Sequence, residues 1–281
     1  MIEVPKIFQV ETNHEYPPYN KMVFEEYFMN YYMDNNIETE RIYLPIMWTN
    51  FYINRKYASL SMQDLQDFLD KLDTTKKYFT VILWDDGILQ NVDHLDIKIF
   101  GGGGGGKNTK SIFNLGYPIP LLCSPSPCID VHRKKDLLYS FVGTIKEMYP
   151  IRTKLKKLYS NKFPIKDRTS YGNFIDIMER SVFSLCPRGY GATSFRICEA
   201  LQHGSIPVYI YDRPWIPWEG EFDFNQIGIL LPESEICNVF NILSRKSKRN
   251  ISDYLRKGKH IYNKYSTFEG ASKQIIKKLC Q

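Results

Sequence analysis

Short apolar runs alternate with segments of helical periodicity along most of the chain. Helical spacing is found around 22–33, in 61–72 with Ser61 as a cap, in 149–160 and in 192–202, and a basic helix or helix pair ends the chain. This alternation is typical of α/β proteins with parallel sheets. The predicted strands are KIFQV (6–10), ERIYLPIM (40–47), YFTVILW (78–84), HLDIKIF (94–100), LLYSFVG (137–143), SVFSLC (181–186), SIPVYIY (205–211) and IGILLP (227–232).

The proline-rich stretch YPIPLLCSPSPC (117–128) separates two such series. A chain of 281 residues is longer than most single domains. We therefore predict two Rossmann-like domains that face a central cleft. The first spans 1–128 and the second 129–281, with the last helix free to pack back on the first domain.

A run of six glycines, GGGGGG (101–106), follows the fourth predicted strand. Neither a Lys-Ser/Thr pair at P-loop spacing nor a helix start comes after it. The run is therefore predicted to be a flexible surface loop and not a phosphate-binding loop.

The composition, with 43% hydrophobic and 24% charged residues, is that of a soluble globular protein. The net charge of +6 suits an anionic ligand but does not by itself indicate nucleic acid. No CxxC pair is present, so neither a zinc ribbon nor a redox motif is indicated. Because no signal-peptide core and no long apolar stretch is found, we expect a cytoplasmic protein without a membrane span.

The segment CPRGYGATSFRICEALQ (186–202) joins a predicted strand to a predicted helix. Ligands of open parallel sheets bind at such loops, beyond the carboxyl ends of the strands. Gly189 and Gly191 allow a ligand to approach the backbone closely, and Thr193 or Ser194 can cap the helix. The exposed N–H groups then favour an anion such as phosphate.

Arg196, Glu199 and His203 form a polar stripe at helical spacing. An arginine and a glutamate one turn apart can bind a diphosphate and a ribose diol. Two alternatives remain at this point. The glycines resemble a degraded dinucleotide fingerprint, with Asp212 as the nearest acidic residue, or Arg196 and Glu199 form an exposed ion pair.

The stretch FSLCPRGYGATSFRICEALQHGSIPVYIYD (183–212) resembles the C-terminal signature of exostosin-type glycosyltransferases, family 47. The shared elements are Cys-Pro-Arg-Gly, Ser-x-Arg, Glu-Ala and Gly-x-Ile-Pro-Val. Weaker similarity extends over FEEYFMNYY (24–32), ETERIYLPIMWT (38–49), YFTVILWDDG (78–87) and LLYSFVGTIKEMYPIRTKL (137–155). The short chain resembles the exostosin-like proteins of large DNA viruses or bacteria.

The resemblance implies a GT-B fold, an acceptor site on the N-terminal lobe, a donor site on the C-terminal lobe and inversion at the anomeric carbon. It also implies that no metal or other cofactor is essential, because arginines neutralise the diphosphate leaving group. The candidate donor-binding residues are Gly143, Arg152, Arg188, Gly189, Ser194, Arg196 and Glu199.

The candidates for the catalytic base follow the predicted strand 78–84 of the N-terminal domain, in the sequence DDG. Asp85 and Asp86 are the candidates, and Asp85 aligns with the family's aspartate, although Trp84 replaces the family's histidine. Two adjacent carboxylates can raise one pKa toward neutrality. His14, Glu11 and Glu15 in the first loop are rivals, and DDG is also an ordinary turn sequence.

The expected reaction is transfer of a sugar from a UDP-sugar donor to a hydroxyl of an oligosaccharide or glycoprotein glycan. The expected donor is UDP-xylose, because a bare pentose needs no extra partner for a carboxylate. The alternatives are a non-catalytic nucleotide- or sugar-binding protein and a nucleic-acid-binding protein that uses the basic C-terminal helices. The four tryptophans either pack in the core or stack on sugar rings.

Overall fold

The structure is a computed structural model that describes residues 2–9, 23–54, 61–106, 116–123, 125–126 and 129–280. It divides into two compact units. Unit 1 comprises Met1–Ser124 and Thr267–Gln281, and unit 2 comprises Pro125–Ser266. The chain therefore leaves unit 1 near the proline-rich stretch and returns to it for its last helix, whereas the boundary drawn from the sequence lies at 128/129.

Unit 1 contains a parallel sheet whose strands follow the chain order: β1 (Ile42–Tyr43), β2 (Lys77–Ile82), β3 (Asp96–Gly101) and β4 (Tyr117–Pro118). Strand β2 is buried from its second residue onward, which explains its unbroken apolar sequence. The helices of this unit are α1 (Phe24–Asp34), α2 (Trp48–Asn54), α3 (Met62–Leu69) and α9 (Phe268–Leu279).

The prediction of a strand at 6–10 is wrong over its described residues. Lys6–Phe8 form a 3-10 turn after Pro5, and the Phe8 side chain is buried in the core of unit 1. The apolar pattern therefore reflects core packing and not sheet pairing. The predicted strand 40–47 pairs only over Ile42–Tyr43, and Pro45 has no N–H to continue the ladder.

Aromatic rings form much of the core of unit 1. The ring of Phe28 on α1 lies 5.3 Å from that of Tyr43, which stacks at 5.0 Å on Phe79 of β2. Also on α1, the rings of Phe24 and Tyr27 lie 5.5 Å and 5.2 Å from the ring of Phe268. The last helix thus covers an aromatic face of the first one.

Unit 2 contains the strands β5 (Leu137–Val142), β6 (Ile165–Lys166), β7 (Ser181–Pro187), β8 (Ile206–Tyr211) and β9 (Ile229–Pro232). They are parallel and lie in the order β6-β5-β7-β8-β9. The chain moves to one side of β5 and then to the other, so the order reverses between β5 and β7. This is the switch point at which doubly wound sheets bind ligands.

The helices of unit 2 are α4 (Pro150–Tyr159), α5 (Tyr171–Arg180), α6 (Arg196–Gln202), α7 (Val239–Ser244) and α8 (Lys248–Ile261). The predicted α/β class with two units, each built on a parallel sheet, is confirmed. Helices α2 and α5 were not predicted from the sequence. Within the described ranges, no helix combines the length and apolar character needed to cross a membrane.

Candidate functional site

The carboxyl ends of β5 and β7 meet at the switch point of unit 2. Gly143 and Thr144 follow β5, and Arg188 and Gly189 follow β7. These two loops are held together by arginine side chains that donate to backbone carbonyls of both. The candidate donor-binding residues of the sequence analysis therefore come together around one edge of the sheet.

Arg196, the first residue of α6, points toward the end of β5. Its Nη2 donates to the Val142 carbonyl at 2.6 Å, and its guanidinium carbon lies 4.2 Å from the centre of the Phe174 ring. An added Cβ at Gly143 would lie 3.6 Å from Arg196 Nη2. The guanidinium is thus fixed by a hydrogen bond on one side and an aromatic face on the other.

Arg152 on α4 connects the two loops. Its Nε donates to the Arg188 carbonyl at 3.1 Å, and its Nη1 donates to the Thr144 carbonyl at 3.1 Å. Gly189 allows this approach, because a Cβ there would lie 3.0 Å from Arg152 Nη2. The arginine therefore fixes the spacing of the β5 and β7 loops.

Arg188 lies on the β8 side of the site. Its Nη2 pairs with Asp212 Oδ2 at 2.6 Å, and its Nη1 donates to the carbonyls of Gly189 and Tyr190 at 3.1 and 3.2 Å. Asp212, the acidic residue of the dinucleotide alternative, is thus already paired with a cation.

Arg168 is a further cation at this edge that the sequence analysis missed. It follows β6, and its Nε donates to Thr144 Oγ1 at 2.6 Å, next to the Thr144 carbonyl that Arg152 contacts. The sequence offers almost no signal for it, because β6, the strand that brings it to this edge, pairs over only two residues.

Burial, and secondly the charges of nearby arginines, lower the pKa of Arg152. Burial is the largest cause, the Arg196 charge is the next, Arg168 and Arg188 add to it, and the pKa falls to about 10. Arg152 is still protonated at neutral pH. This edge of the sheet is therefore positively charged and partly desolvated, which favours an anion with several charges.

Glu199 lies one turn beyond Arg196, and its Oε2 is 3.5 Å from Arg196 Nε. The i, i+3 ion pair offered as an alternative is thus present, but it is largely buried, with side chains 14% and 18% exposed. Ser194 is buried, and its Oγ accepts from the Arg196 N–H at 3.3 Å.

The prediction that His203 shares a polar stripe with Arg196 and Glu199 is wrong. Helix α6 ends at Gln202, and the buried His203 lies with Nδ1 at 3.0 Å from Glu179 Oε1. Glu179 also accepts from the Asp130 N–H at 2.9 Å. This group joins the start of unit 2 to α5 and to the end of α6, and it lies apart from the arginines in the hydrogen-bond network.

In unit 1, Asp85 and Asp86 follow the carboxyl end of β2. Burial, and secondly the charge of Asp86, raises the pKa of Asp85 to about 7. Asp86 is 3% exposed, and its Oδ1 accepts from the Gly106 N–H at 3.2 Å. The two neighbouring carboxyl groups therefore differ in role: Asp86 is tied to the glycine run, and Asp85 is available to exchange a proton near neutral pH.

The prediction that the six glycines form a flexible surface loop is wrong. Gly101 ends β3, and residues 101–105 are buried. A Cβ at Gly103 would lie 2.4 Å from the Cα of Asp85, so the run fits against the β2 end only because it lacks side chains. Gly104 and Gly105 have φ of 79° and 83°, which glycine adopts without strain.

Glu25 on α1 supports the same strand end and was also missed. Its Oε1 accepts from the Leu83 N–H at 2.7 Å, directly before Trp84 and Asp85. The rival base candidates His14, Glu11 and Glu15 lie outside the described residues. Trp48, Trp215 and Trp218 are buried in the core, and the half-buried ring of Trp84 lies 5.6 Å from that of Tyr52.

Parts of the chain are similar in sequence to proteins of a known family. Residues 101–246 match the Exostosin GT47 domain. A probable glucuronosyltransferase of Oryza sativa subsp. japonica is 28% identical over 46% of this chain and 32% of its own length. A probable beta-1,4-xylosyltransferase of Arabidopsis thaliana is 32% identical over 25% of this chain and 17% of its own.

The chain matches less than a third of the length of these curated relatives. Among solved structures, TarM aligns over 76% of this chain and 52% of its own, with 10% identity and a TM-score of 0.44. The family match covers more than half of the sequence and includes both the glycine run and the arginine-rich switch point. The chain belongs to the exostosin GT47 family.

Proposed function

We propose that the protein is an inverting glycosyltransferase that transfers a sugar from a UDP-sugar to a hydroxyl of an oligosaccharide or glycoprotein glycan. The observation that carries the proposal is the group of arginines at the switch point of unit 2. Arg152, Arg188 and Arg196 surround the ends of β5 and β7, and Arg168 adjoins them. A nucleotide diphosphate has the charge and the size that this edge accepts.

The leaving group in this reaction is UDP, and negative charge develops on its diphosphate in the transition state. Fixed guanidinium groups stabilise that charge without reorganisation. They supply the positive charge that a divalent cation supplies in other transferases, so we propose that no metal is essential. We assign to Glu199, one turn beyond Arg196, the role of accepting hydrogen bonds from the ribose hydroxyls.

The acceptor hydroxyl must lose a proton as it attacks the anomeric carbon. We assign this role to Asp85, whose pKa of about 7 suits a base working near neutral pH. Asp86, held by the Gly106 N–H, is proposed to raise that pKa and not to take the proton itself.

UDP-xylose is our proposed donor. A pentose carries no carboxylate, so it needs no cation beyond the arginines that we assign to the diphosphate, Arg152, Arg188 and Arg196. Relatives of the chain bear the names xylosyltransferase and glucuronosyltransferase, which makes UDP-glucuronic acid the comparison of choice. We further propose that the protein works in the cytoplasm.

The donor site is tested by thermal shift with UDP-xylose, UDP-glucuronic acid and GDP-sugars in the presence of EDTA. We expect UDP-sugars to raise the Tm of the wild type and the Arg196→Ala variant to lose most of the shift. The exposed Arg245, far along the chain from the site, gives the control Arg245→Ala, which should respond like the wild type. An equal response of Arg196→Ala would contradict the donor assignment.

The base is tested with Asp85→Asn. An amide cannot take the proton, so we expect the rate constant of transfer to fall by about 10²–10⁴ while UDP binding is retained. In the wild type, activity should rise with pH through about 7, since the deprotonated form is the active one. UDP binding without transfer or hydrolysis by the wild type would instead point to a non-catalytic nucleotide-binding protein.

A further inference from the structure

The positive charge of the protein is concentrated in one segment of unit 2. Residues 245–264 contain eight lysines and arginines and a single acidic residue, Asp253, a net charge of +7. Since the whole chain has a net charge of +6, the remaining residues together have a net charge of −1. The positive balance of this protein is therefore a local feature, and it lies outside the arginine site described above.

Helix α8 forms most of this segment. It begins with a capping box in which Ser247 Oγ accepts from the Asn250 N–H at 3.2 Å. Its apolar residues Ile251, Tyr254 and Leu255 pack against the core of unit 2. Gly258 is buried, and a Cβ there would lie 3.1 Å from a methyl carbon of Leu201 on α6. The apolar face of α8 is therefore buried against unit 2.

The opposite face of α8 carries Lys248, Arg249, Arg256 and Lys259, which we call the basic face. All four residues are exposed. Asp253 is the acidic residue among them, and its Oδ1 is 3.8 Å from Arg256 Nη2, with both side chains more than half exposed. An ion pair of this kind is weak, so the face keeps its positive potential.

We propose that the basic face docks on an anionic phospholipid surface and holds the protein there as a peripheral protein. Over Lys248 to Lys259 the face is about 17 Å long at the α-helical rise, so it can reach several headgroups at once. Clusters of four or more lysines and arginines on an amphipathic helix favour anionic lipids in this way. Glycosyl transfer is not required for this inference.

The burial of the apolar face determines how the docking must work. An interfacial amphipathic helix inserts apolar side chains between lipids, but those of α8 are already packed against unit 2. The attraction is therefore purely electrostatic. It requires anionic lipid, and it disappears when salt screens the charges over a few ångströms.

Single-stranded nucleic acid is a poorer match to this surface. Proteins that bind it add exposed aromatic rings on which bases stack. In the described segment 245–264 the aromatic residues are Tyr254 and Tyr262, and both are half-buried. The basic face thus offers charge without stacking platforms.

The test is co-sedimentation of the full chain with phosphatidylcholine vesicles, with and without phosphatidylserine. We expect binding only to the mixed vesicles and release in about 1 M salt, where the screening length is about 3 Å. Reversal of all four charges (K248E, R249E, R256E and K259E) should abolish it. The matched control reverses four exposed lysines elsewhere (K71E, K76E, K156E and K157E) and should retain most of the binding.

A second variant carries glutamine at the same four positions of the basic face. It removes the charges without reversing them, and circular dichroism checks that it is folded. At about five-fold per charge, it should weaken vesicle binding by several hundred-fold. Binding to neutral vesicles, binding that survives high salt, or unchanged binding of the glutamine variant would overturn the proposal. Tighter binding to single- or double-stranded nucleic acid than to mixed vesicles at the same ionic strength would overturn it too.

Discussion

Glu25 is a carboxyl group with almost no contact with water, being 1% exposed. It accepts hydrogen bonds from the Thr49 N–H at 2.9 Å, from Thr49 Oγ1 at 2.5 Å and from the Leu83 N–H at 2.7 Å. Burial raises its pKa to about 7, and the hydrogen bonds offset only part of that effect. One residue thus ties α1 to α2 and to the strand end that carries Asp85.

The raised pKa of Glu25 makes stability depend on pH. Between its ordinary value of 4.5 and about 7, the folded protein holds the proton and the unfolded chain does not. The free energy of unfolding therefore falls as pH rises through this range, by at most about 3 kcal/mol. We expect Glu25→Gln to remove this part of the slope in urea unfolding measured from pH 4.5 to 8.

The exposed Glu38 provides the control, because Glu38→Gln should leave the slope unchanged. Asp85, also with a raised pKa, contributes a slope of its own in every variant. The contribution of Glu25 is therefore the difference between the wild-type and Glu25→Gln curves of unfolding free energy against pH. Two parallel profiles would contradict the burial argument.

Site residues were predictable from the sequence where they follow the carboxyl end of a predicted parallel strand, since ligands bind there. The loop after β7 indicated an anion site by its position, and helical spacing singled out Arg196, whereas Arg188 was assigned from the family resemblance. Glu25 was not predictable, because its partners Thr49 and Leu83 are 24 and 58 residues away. His203 was misplaced because the helical spacing was extended past the point where α6 ends.

The run of glycines after β3 has the sequence of a flexible loop but is buried in the structure. Low-complexity glycine is typical of mobile linkers. Here the missing side chains let the backbone lie against the end of β2, with Gly103 at the closest approach to Asp85. Composition gave no sign of this, since the contact exists only once β2 and β3 are paired in register.

Replacement of Gly103 by alanine should therefore destabilise unit 1. The added methyl group would lie 2.4 Å from Asp85 Cα and 2.7 Å from the Trp84 carbonyl oxygen, and backbone cannot move aside easily. We expect a loss of about 1–3 kcal/mol in chemical unfolding, together with a lower transfer rate because Asp85 is displaced.

Gly172 on α5 is the matched control for this substitution. A Cβ at that position meets nothing within 4 Å. Alanine favours a helix interior over glycine by about 0.5–1 kcal/mol, so Gly172→Ala should leave stability unchanged or raise it. Equal effects of the two substitutions would mean that the glycine run is not packed as described.

Other elements were predictable where their signals are local in sequence and not where they depend on distant contacts. Helix α3 was predictable because its apolar stripe and its Ser61 cap are both local, and Ser61 Oγ does accept from Gln63 and Asp64 N–H groups. The first predicted strand was not, because the same apolar residues suit a core turn. Short strands such as β6 pair over two residues and leave almost no periodicity to detect.

At the scale of the whole molecule, two α/β units were predictable from the two series of strands and helices. The membership of α9 was left open by the sequence, because a helix stripe does not say which core it covers. Phe268 settles it by contacting Phe24 and Tyr27 on α1. Lys98 Nζ of β3 also donates to the Lys278 carbonyl at 2.8 Å.

Deletion of 267–281 should therefore destabilise unit 1 and spare unit 2. Trp48 and Trp84 report on unit 1 and Trp215 and Trp218 on unit 2, so tryptophan-to-phenylalanine pairs separate the two signals in a denaturant titration. We expect the unit 1 transition to shift to lower denaturant. Phe268→Ala should destabilise unit 1 by about 1–3 kcal/mol, less than the about 3–5 kcal/mol of a fully buried phenylalanine, because Phe268 is half-buried. An unshifted transition would refute the contact.

The two-piece construction of unit 1 also fixes an order of events during synthesis. All the strands of unit 2 are translated before Phe268, so their pairing does not depend on α9. The first piece of unit 1 must wait, with the rings of Phe24 and Tyr27 uncovered, until α9 emerges. In the nascent chain it is the N-terminal segment, although made first, that is completed last and that most needs protection by chaperones.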